Sequence, residues 1–238
     1  MATSGQTIFQ LSRDEIINAA YRKLLVVAYD QSANASQLLV GAQALNAVVA
    51  TFQTHGMQLW ARKELALVMV ANQRDYTIGM GQTIATPYPL HVSEAELLVP
   101  PSTSQVPVNM MVRADFNLLP AGSTGNPVNA TYQPFVNYGV FSVWPTPRTG
   151  TVVGTTVTIT YQTPFQYFIA GVDTADFPQE WTNALIYALA VSLAPENGLP
   201  VADRGDLKQD AKYHLDTALS NSGEDGSIYF GKEAAGGR

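Results

Sequence analysis

The stretch that decides the fold lies towards the C-terminal end: Asp176-Phe-Pro-Gln-Glu-Trp-Thr-Asn-Ala-Leu-Ile-Tyr-Ala-Leu-Ala-Val-Ser-Leu-Ala-Pro-Glu-Asn-Gly198. Pro178 stands where a helix can begin without losing a needed N–H donor, and Pro195 can end it. From Trp181 to Ala194 most side chains are apolar, and the polar ones are Thr182, Asn183, Tyr187 and Ser192. Such a helix must be buried on several sides. The rest of the chain must therefore supply the elements that enclose it.

Three other segments have the apolar spacing of amphipathic helices. Residues 12–15, Ser-Arg-Asp-Glu, form a capping-box pattern, and apolar residues recur at helical spacing over 16–27. A second apolar stripe covers 38–52, with Ser36 as the expected N-cap. A third stripe covers 207–219. The sequence thus predicts two helices before the middle of the chain and two helices after it.

The middle of the chain has a different pattern, with eleven prolines between positions 87 and 164. Short β-prone runs separate the turn residues, and the runs 65–70 and 76–78 flank a predicted turn. Residues 165–169 predict a further strand, whereas 118–137 are rich in Gly, Pro, Asn and Thr and predict a long loop. Many short strands without helical periodicity predict an antiparallel sandwich or barrel.

The predicted fold class is α+β, with a discontinuous four-helix bundle built from both chain ends and an inserted antiparallel β-sandwich or barrel-like domain. The bundle domain is expected to comprise residues 1–62 and 173–222, and the β domain residues 63–172. Residues 223–238 lack periodicity and predict a flexible C-terminal tail.

Charge is scarce and unevenly distributed. The chain carries a net charge of −6, all of which arises after residue 172, and Arg148 is the only charged residue between Asp115 and Asp173. Two interpretations remain open for this uncharged surface. It is either a neutral polar surface rich in Ser, Thr and Asn, or a surface that neighbouring subunits cover, since interface cores are depleted in charge.

The residue types needed for several kinds of chemistry are absent or badly spaced. The chain has no cysteine, and its three histidines lack metal-ligand spacing. Glu94 with Glu96, and Asp173 with Asp176, are formal carboxylate pairs for glycoside cleavage, although exposed carboxylates are typical of any solvated surface. Neither a phosphate-binding loop nor a basic nucleic-acid footprint is present. We therefore predict no enzyme activity, catalytic residue, cofactor or metal site.

The sequence also bears on localisation. The N-terminus lacks the basic and then apolar pattern of a signal peptide, and no apolar run approaches the ~20 residues that span a bilayer. The expectation is a soluble protein that is made in the cytoplasm and has no membrane partner.

Several motifs together resemble a known family. They are Ile16-Ile-Asn-Ala-Ala-Tyr-Arg-Lys-Leu24, Gln43-Ala-Leu-Asn-Ala-Val-Val49, Gly56-Met-Gln-Leu-Trp60, Tyr76-Thr-Ile-Gly79, Val143-Trp-Pro-Thr-Pro147, Phe177-Pro-Gln-Glu-Trp-Thr-Asn-Ala-Leu185 and Leu193-Ala-Pro-Glu-Asn-Gly198. Their order and spacing, over about residues 11–220, resemble the head-to-tail adaptor proteins of tailed bacteriophages. This group is also called tail accessory factors or tail tubular protein A-like proteins.

The resemblance implies a virion structural protein at the head–tail junction. Twelve copies would form a connector ring beneath the portal protein, extend the DNA channel and offer a docking surface for the tail nozzle or tube. DNA would pass through the ring during ejection without specific binding, and no cofactor is implied. The alternatives are a tail-tube or other tail structural protein, and a virion-associated cell-wall hydrolase.

Aromatic residues and arginine are the favoured anchors of protein interfaces. On that basis the predicted subunit and partner contacts are Phe135, Tyr138, Trp144 and Arg148. In the C-terminal tail, the expected docking residues are Ile228, Tyr229 and Phe230. The competing interpretation is that Tyr138 and Trp144 fill the core of the β domain.

Overall fold

The computed structural model describes residues 9–54, 59–148, 154–200 and 204–221, and their fold is α+β. The α-helices of this part are α1 (Arg13–Lys23), α2 (Ala35–Phe52), α3 (Arg113–Phe116), α4 (Trp181–Leu193) and α5 (Gly205–Asn221). The strands are β1 (Arg62–Val68), β2 (Asp75–Ile78), β3 (His91–Leu98), β4 (Val106–Pro107), β5 (Asn109–Met110), β6 (Asn129–Pro134), β7 (Gly139–Trp144) and β8 (Thr156–Gln162).

The first two helices begin at side chains that satisfy their terminal N–H groups. The Glu15 carboxylate accepts hydrogen bonds from the backbone N–H and the hydroxyl of Ser12, both at 2.8 Å, and these bonds hold the pKa of Glu15 below its usual value. At α2 the N-cap is Asn34, which exchanges reciprocal bonds with Gln37. The prediction of Ser36 as the cap is wrong, because the helical turn has already begun at Ala35.

Helix α4 is the common partner of the other three long helices. Helices α1, α2 and α5 each pack against it, and α1 also packs against α2. Seven residues of α4 are buried, among them Trp181, Leu185 and Leu189. The helix stops just before Pro195, and Gly198 then takes a positive φ of 73°. The buried helix predicted from sequence is therefore confirmed.

Helix α2 is 18 residues long, with a mean hydropathy of 1.3. By length and composition alone it is apolar enough to cross a membrane, so the sequence prediction that no run approaches this length does not hold for α2. The core helix of a soluble protein passes the same test. In the structure Leu45, Val49 and Phe52 of α2 are buried among the helices.

The strands form two four-stranded sheets, ordered β1-β8-β3-β4 and β2-β7-β6-β5. Each sheet ends in two edge strands, so neither closes on itself, and the barrel-like alternative is wrong. Pairing is antiparallel except between β5 and β6, which are parallel over two residues. Both sheets contribute side chains to one buried cluster, including Phe141 from β7 and Ile159 from β8.

Three predictions within the β region need correction. β1 and β2 are strands, but they do not pair with each other, because β1 pairs with β8 and β2 with β7. The predicted loop 118–137 contains strand β6, whose main chain pairs with β7 in spite of its polar sequence. Residues 165–169 form no strand; Phe165 and Phe168 are instead buried against the helices.

The described residues contain two separate hydrophobic clusters. The first consists of side chains from α1, α2, α4 and α5 and from the segments beside them, including Phe165, Phe168 and Phe177. The second consists of side chains from the two sheets. Helices from both ends of the chain thus share one core, and the strands between them share another.

Candidate functional site

The turn between β6 and β7 presents an aromatic pair. The backbone N–H of Phe135 donates to the carbonyl of Tyr138 at 2.7 Å, which closes the turn. The two rings stack with centroids 4.9 Å apart and an angle of 13° between their planes. Phe135 is exposed and Val136 beside it is more exposed still. We call residues 135–138 the hairpin tip; it exposes the apolar side chains of Phe135 and Val136.

Trp144 and Arg148 lie at the other end of β7 from the hairpin tip. Trp144 is six positions after Tyr138, which places these two residues about 20 Å apart. The Trp144 indole N–H donates to the carbonyl of Pro120 at 2.9 Å and so anchors the loop before β6. Arg148 has an exposed side chain.

The structure therefore divides the sequence-predicted contact residues into two groups. It brings Phe135 and Tyr138 together, and it places Trp144 and Arg148 elsewhere. Tyr138 and Trp144 are both half-buried and neither belongs to the buried core of the sheets, so the interpretation that they fill this core is wrong. Ile228, Tyr229 and Phe230 lie outside the described residues.

Sequence reasoning missed an exposed surface between α1 and α2. Leu25 and Tyr29 are each 92% exposed, although Leu24 and Val27 beside them are buried. Four consecutive apolar residues at the end of a helix cannot all face one core, and this run could have identified the surface. We call residues 25–30 the α1–α2 loop.

Leu25 also has an unusual backbone conformation. Its φ is 57°, in the left-handed region that glycine normally occupies after a helix. Its N–H donates to the carbonyl of Arg22, and the N–H of Val26 donates to that of Tyr21, both at 3.1 Å. These bonds form a Schellman motif with leucine in the glycine position. A left-handed leucine costs roughly 1–2 kcal/mol, and its exposed side chain recovers little of this by packing.

Replacing Leu25 with glycine is expected to raise the free energy of unfolding by about 1 kcal/mol, because glycine has no Cβ to be strained at this φ. Urea unfolding followed by circular dichroism measures the change. The matched control is Val26→Gly at the next position, where φ is not positive; this change should lower stability. If Leu25→Gly also lowered stability, the leucine side chain would be packing within the monomer after all.

A second missed surface is the loop before α4. Ile169 and Val172 are each at least 82% exposed. The Asp173 carboxylate accepts hydrogen bonds from the N–H groups of Ile169 and Ala170 at 2.8 and 2.7 Å, and these bonds lower the pKa of Asp173. The Arg13 guanidinium donates to the Ile169 carbonyl at 2.8 Å. The polar groups of this loop thus face the start of α1, and its apolar side chains face outwards.

The described helices also enclose an apolar groove of about 400 Å³. It lies between the second half of α2, the second half of α4 and the middle of α5. Apolar side chains such as Val48, Val191 and Leu215 line it, and Lys212 stands at its edge with an exposed side chain. We call this feature the helical groove; its lining is suited to apolar side chains from another segment or another chain.

The two formal carboxylate pairs lie in different parts of the structure, and Glu94 and Glu96 line one open pocket together. Glu94 and Glu96 are exposed on β3 opposite Thr160 and Thr158 of β8. The Asp173 carboxylate is occupied by the loop N–H groups. Among the described residues no group of three or more His, Asp or Glu side chains is placed to hold a metal ion.

Comparison with known proteins found no family model that matches the chain and no similar curated protein. The surfaces described above are therefore the observations on which a function can be argued.

Proposed function

We propose that this chain is a structural subunit of a connector ring in a tailed bacteriophage, where it joins the portal protein to the tail and extends the DNA channel. The observation that carries the proposal is the distribution of exposed apolar side chains. The most exposed of them, each at least 82% exposed, are Leu25, Tyr29, Leu118, Val136, Ile169 and Val172. These residues belong to four different segments of the chain. One segment lies between the first two helices, and the other three segments lie in or next to the β region.

Several separate apolar surfaces suit a subunit that has several neighbours. A ring subunit contacts the copy on each side and also the structures above and below it. Contiguous exposed apolar patches mark sites of interaction with other proteins, whereas apolar residues that stand singly on a surface are ordinary. The resemblance of the sequence motifs to head-to-tail adaptors supports the same assignment, and the twelve-fold copy number comes from that resemblance.

The scarcity of charge in the β region is consistent with covered surfaces. No charged residue except Arg148 lies between Asp115 and Asp173. The centres of protein interfaces are depleted in charge because burying an unpaired charge is costly. The net charge of −6 would also repel a phosphate backbone, so we propose that DNA passes the ring without specific binding.

The helical part supplies the frame of the proposed subunit. We propose that α1, α2, α4 and α5 act as one discontinuous four-helix bundle, which holds the inserted β region in a fixed orientation. The packing of α1, α2 and α5 against α4 supports this arrangement. The hairpin tip and the loop before α4 would then reach the portal or the tail nozzle.

The proposal is tested by the mass of the assembled protein. The purified chain is examined by native mass spectrometry, alone and after mixing with the portal protein encoded in the same genome. We expect a complex in which many copies of the chain join one portal ring, even if the chain alone is monomeric. A chain that stays monomeric with assembled portal rings would contradict the proposal. Labelled particles in which the protein lies away from the portal vertex would favour the tail-tube alternative instead.

A further inference from the structure

The α1–α2 loop and the helical groove are both apolar surfaces that face solvent. The loop projects Leu25 and Tyr29, two apolar side chains that are almost fully exposed. The groove is a concave apolar surface on the other half of α2. One chain thus carries both the α1–α2 loop and the helical groove, and each of them leaves apolar surface in contact with water.

The loop of a chain does not fill its own groove. Tyr29 precedes the start of α2, whereas Val48 and Phe52 line the groove near the end of the same helix. At 1.5 Å per residue, the start of α2 and the groove are separated by about 20 Å along the helix axis. Contact between the two surfaces therefore requires two copies of the chain.

The charges beside the two surfaces are of opposite sign. Asp30 follows Tyr29 in the loop and has an exposed carboxylate, while Lys212 stands at the edge of the groove. Neither forms an ion pair with another residue in the part of the chain that the structure describes. A loop seated in the groove of a second copy can bring these two charges together. Charge pairs at the rim of an interface mainly determine orientation and partner choice.

We propose that the α1–α2 loop of one copy inserts Leu25 and Tyr29 into the helical groove of the next copy, with Asp30 facing Lys212. The contact joins two different surfaces, so an open chain of copies keeps one free loop at one end and one free groove at the other until the ring closes. The conformation of Leu25 fits this role, since the chain adopts a left-handed φ here while the side chain stays exposed on the subunit that carries it. The inference rests on the proposed ring and identifies one contact that would build it.

The chain has no cysteine, which allows a direct test by site-specific crosslinking. Asp30→Cys and Lys212→Cys are combined in one chain and treated with a short bismaleimide, both in concentrated free protein and in the portal complex. We expect a ladder of covalent oligomers on a denaturing gel. The matched control carries Asp30→Cys with Glu96→Cys, an exposed residue of β3 that does not line the groove; it should give far less product. No ladder, or an equal ladder in the control, would overturn the proposal.

Two further variants identify other occupants and separate this inference from the proposed function. If Tyr229→Cys with Lys212→Cys gave an intrachain product in higher yield than the ladder, the groove would belong to the chain's own C-terminal segment, and the proposal would fail.

Tyr29→Asp should abolish assembly on the portal, because it places a charge in an apolar groove, while leaving the unfolding midpoint unchanged. If Tyr29→Asp assembled normally, this contact would be refuted and the proposed ring would stand. If the unmodified chain did not assemble on the portal and gave no ladder, both would fail.

Discussion

Replacing Trp181 with alanine is expected to lower the free energy of unfolding by about 3–5 kcal/mol, the usual cost of removing a large aromatic side chain from a core. Trp181 is 1% exposed at the start of α4. Its ring lies 5.6 Å from that of Phe52, 5.9 Å from that of Phe177 and 6.1 Å from that of Trp60. These partners come from three parts of the chain, so alanine would leave a cavity that no single segment can collapse to fill.

The effect of Trp181→Ala is measured by urea unfolding or as a fall in the melting temperature of about 10 °C. Trp181→Phe keeps an aromatic ring in the cluster and should cost less. Tyr29→Ala is the surface control, because this aromatic side chain is almost fully exposed and should change stability by less than about 0.5 kcal/mol. Equal losses for Trp181→Ala and Tyr29→Ala would contradict the central position of α4 in the helical core.

Replacing Phe141 with alanine should have a comparable effect in the other hydrophobic cluster, again about 3–5 kcal/mol. Phe141 is fully buried on β7, the second strand of its sheet, and lies opposite Tyr76 of β2 and Tyr132 of β6. Truncation removes contacts with both neighbouring strands and with the facing sheet. Val140, the adjacent and half-buried residue of β7, provides the control, since Val140→Ala should cost much less.

The separation of the two clusters has its own consequence for stability. Ile17 belongs to the helical cluster and Ile159 to the cluster of the sheets, and both are fully buried. Ile17→Val and Ile159→Val should each cost about 0.5–1.5 kcal/mol. Their effects in the double variant should add to within about 0.5 kcal/mol, because distant sites that share no partner are independent. A coupling above about 1 kcal/mol would show that the clusters behave as one continuous core.

The helices could be predicted from sequence because their determinants are local. The bonds between Ser12 and Glu15 join residues three positions apart, and the apolar character of α4 is visible within its own thirteen residues. The predicted N-cap of α2, Ser36, was wrong by only two positions, because Asn34 and Ser36 are both residue types that favour caps. Backbone conformation at position 34 decided between them.

The strands were harder to predict because their hydrogen bonds join distant residues. β1 pairs with β8 almost a hundred residues later, so the short turn between β1 and β2 carried no information about the sheet to which each belongs. β6 has a polar sequence and is a strand because β7 lies beside it. The burial of Phe165 and Phe168 against the helices, which no local pattern indicated, excluded these residues from the sheets.

The contact residues also show that features which depend on distant parts of the chain are hard to predict from sequence. Phe135 and Tyr138 could be named from their type, and the turn that stacks them is local. Leu25 and Tyr29 were missed, because an apolar residue at the end of a helix is ordinarily expected in the core. Their exposure depends on where the neighbouring helices lie.

The sequence by itself thus determined the four long helices, the α+β class and the presence of a strand-rich insertion, because hydrophobic periodicity, caps and turn residues act over a few positions. The tertiary structure alone decided which strands pair, how they divide between two open sheets, and which apolar side chains remain at the surface. Those outcomes depend on contacts between segments far apart in the chain. The surfaces that support the proposed ring belong to this second group, since a side chain is exposed only when every other element has packed without covering it.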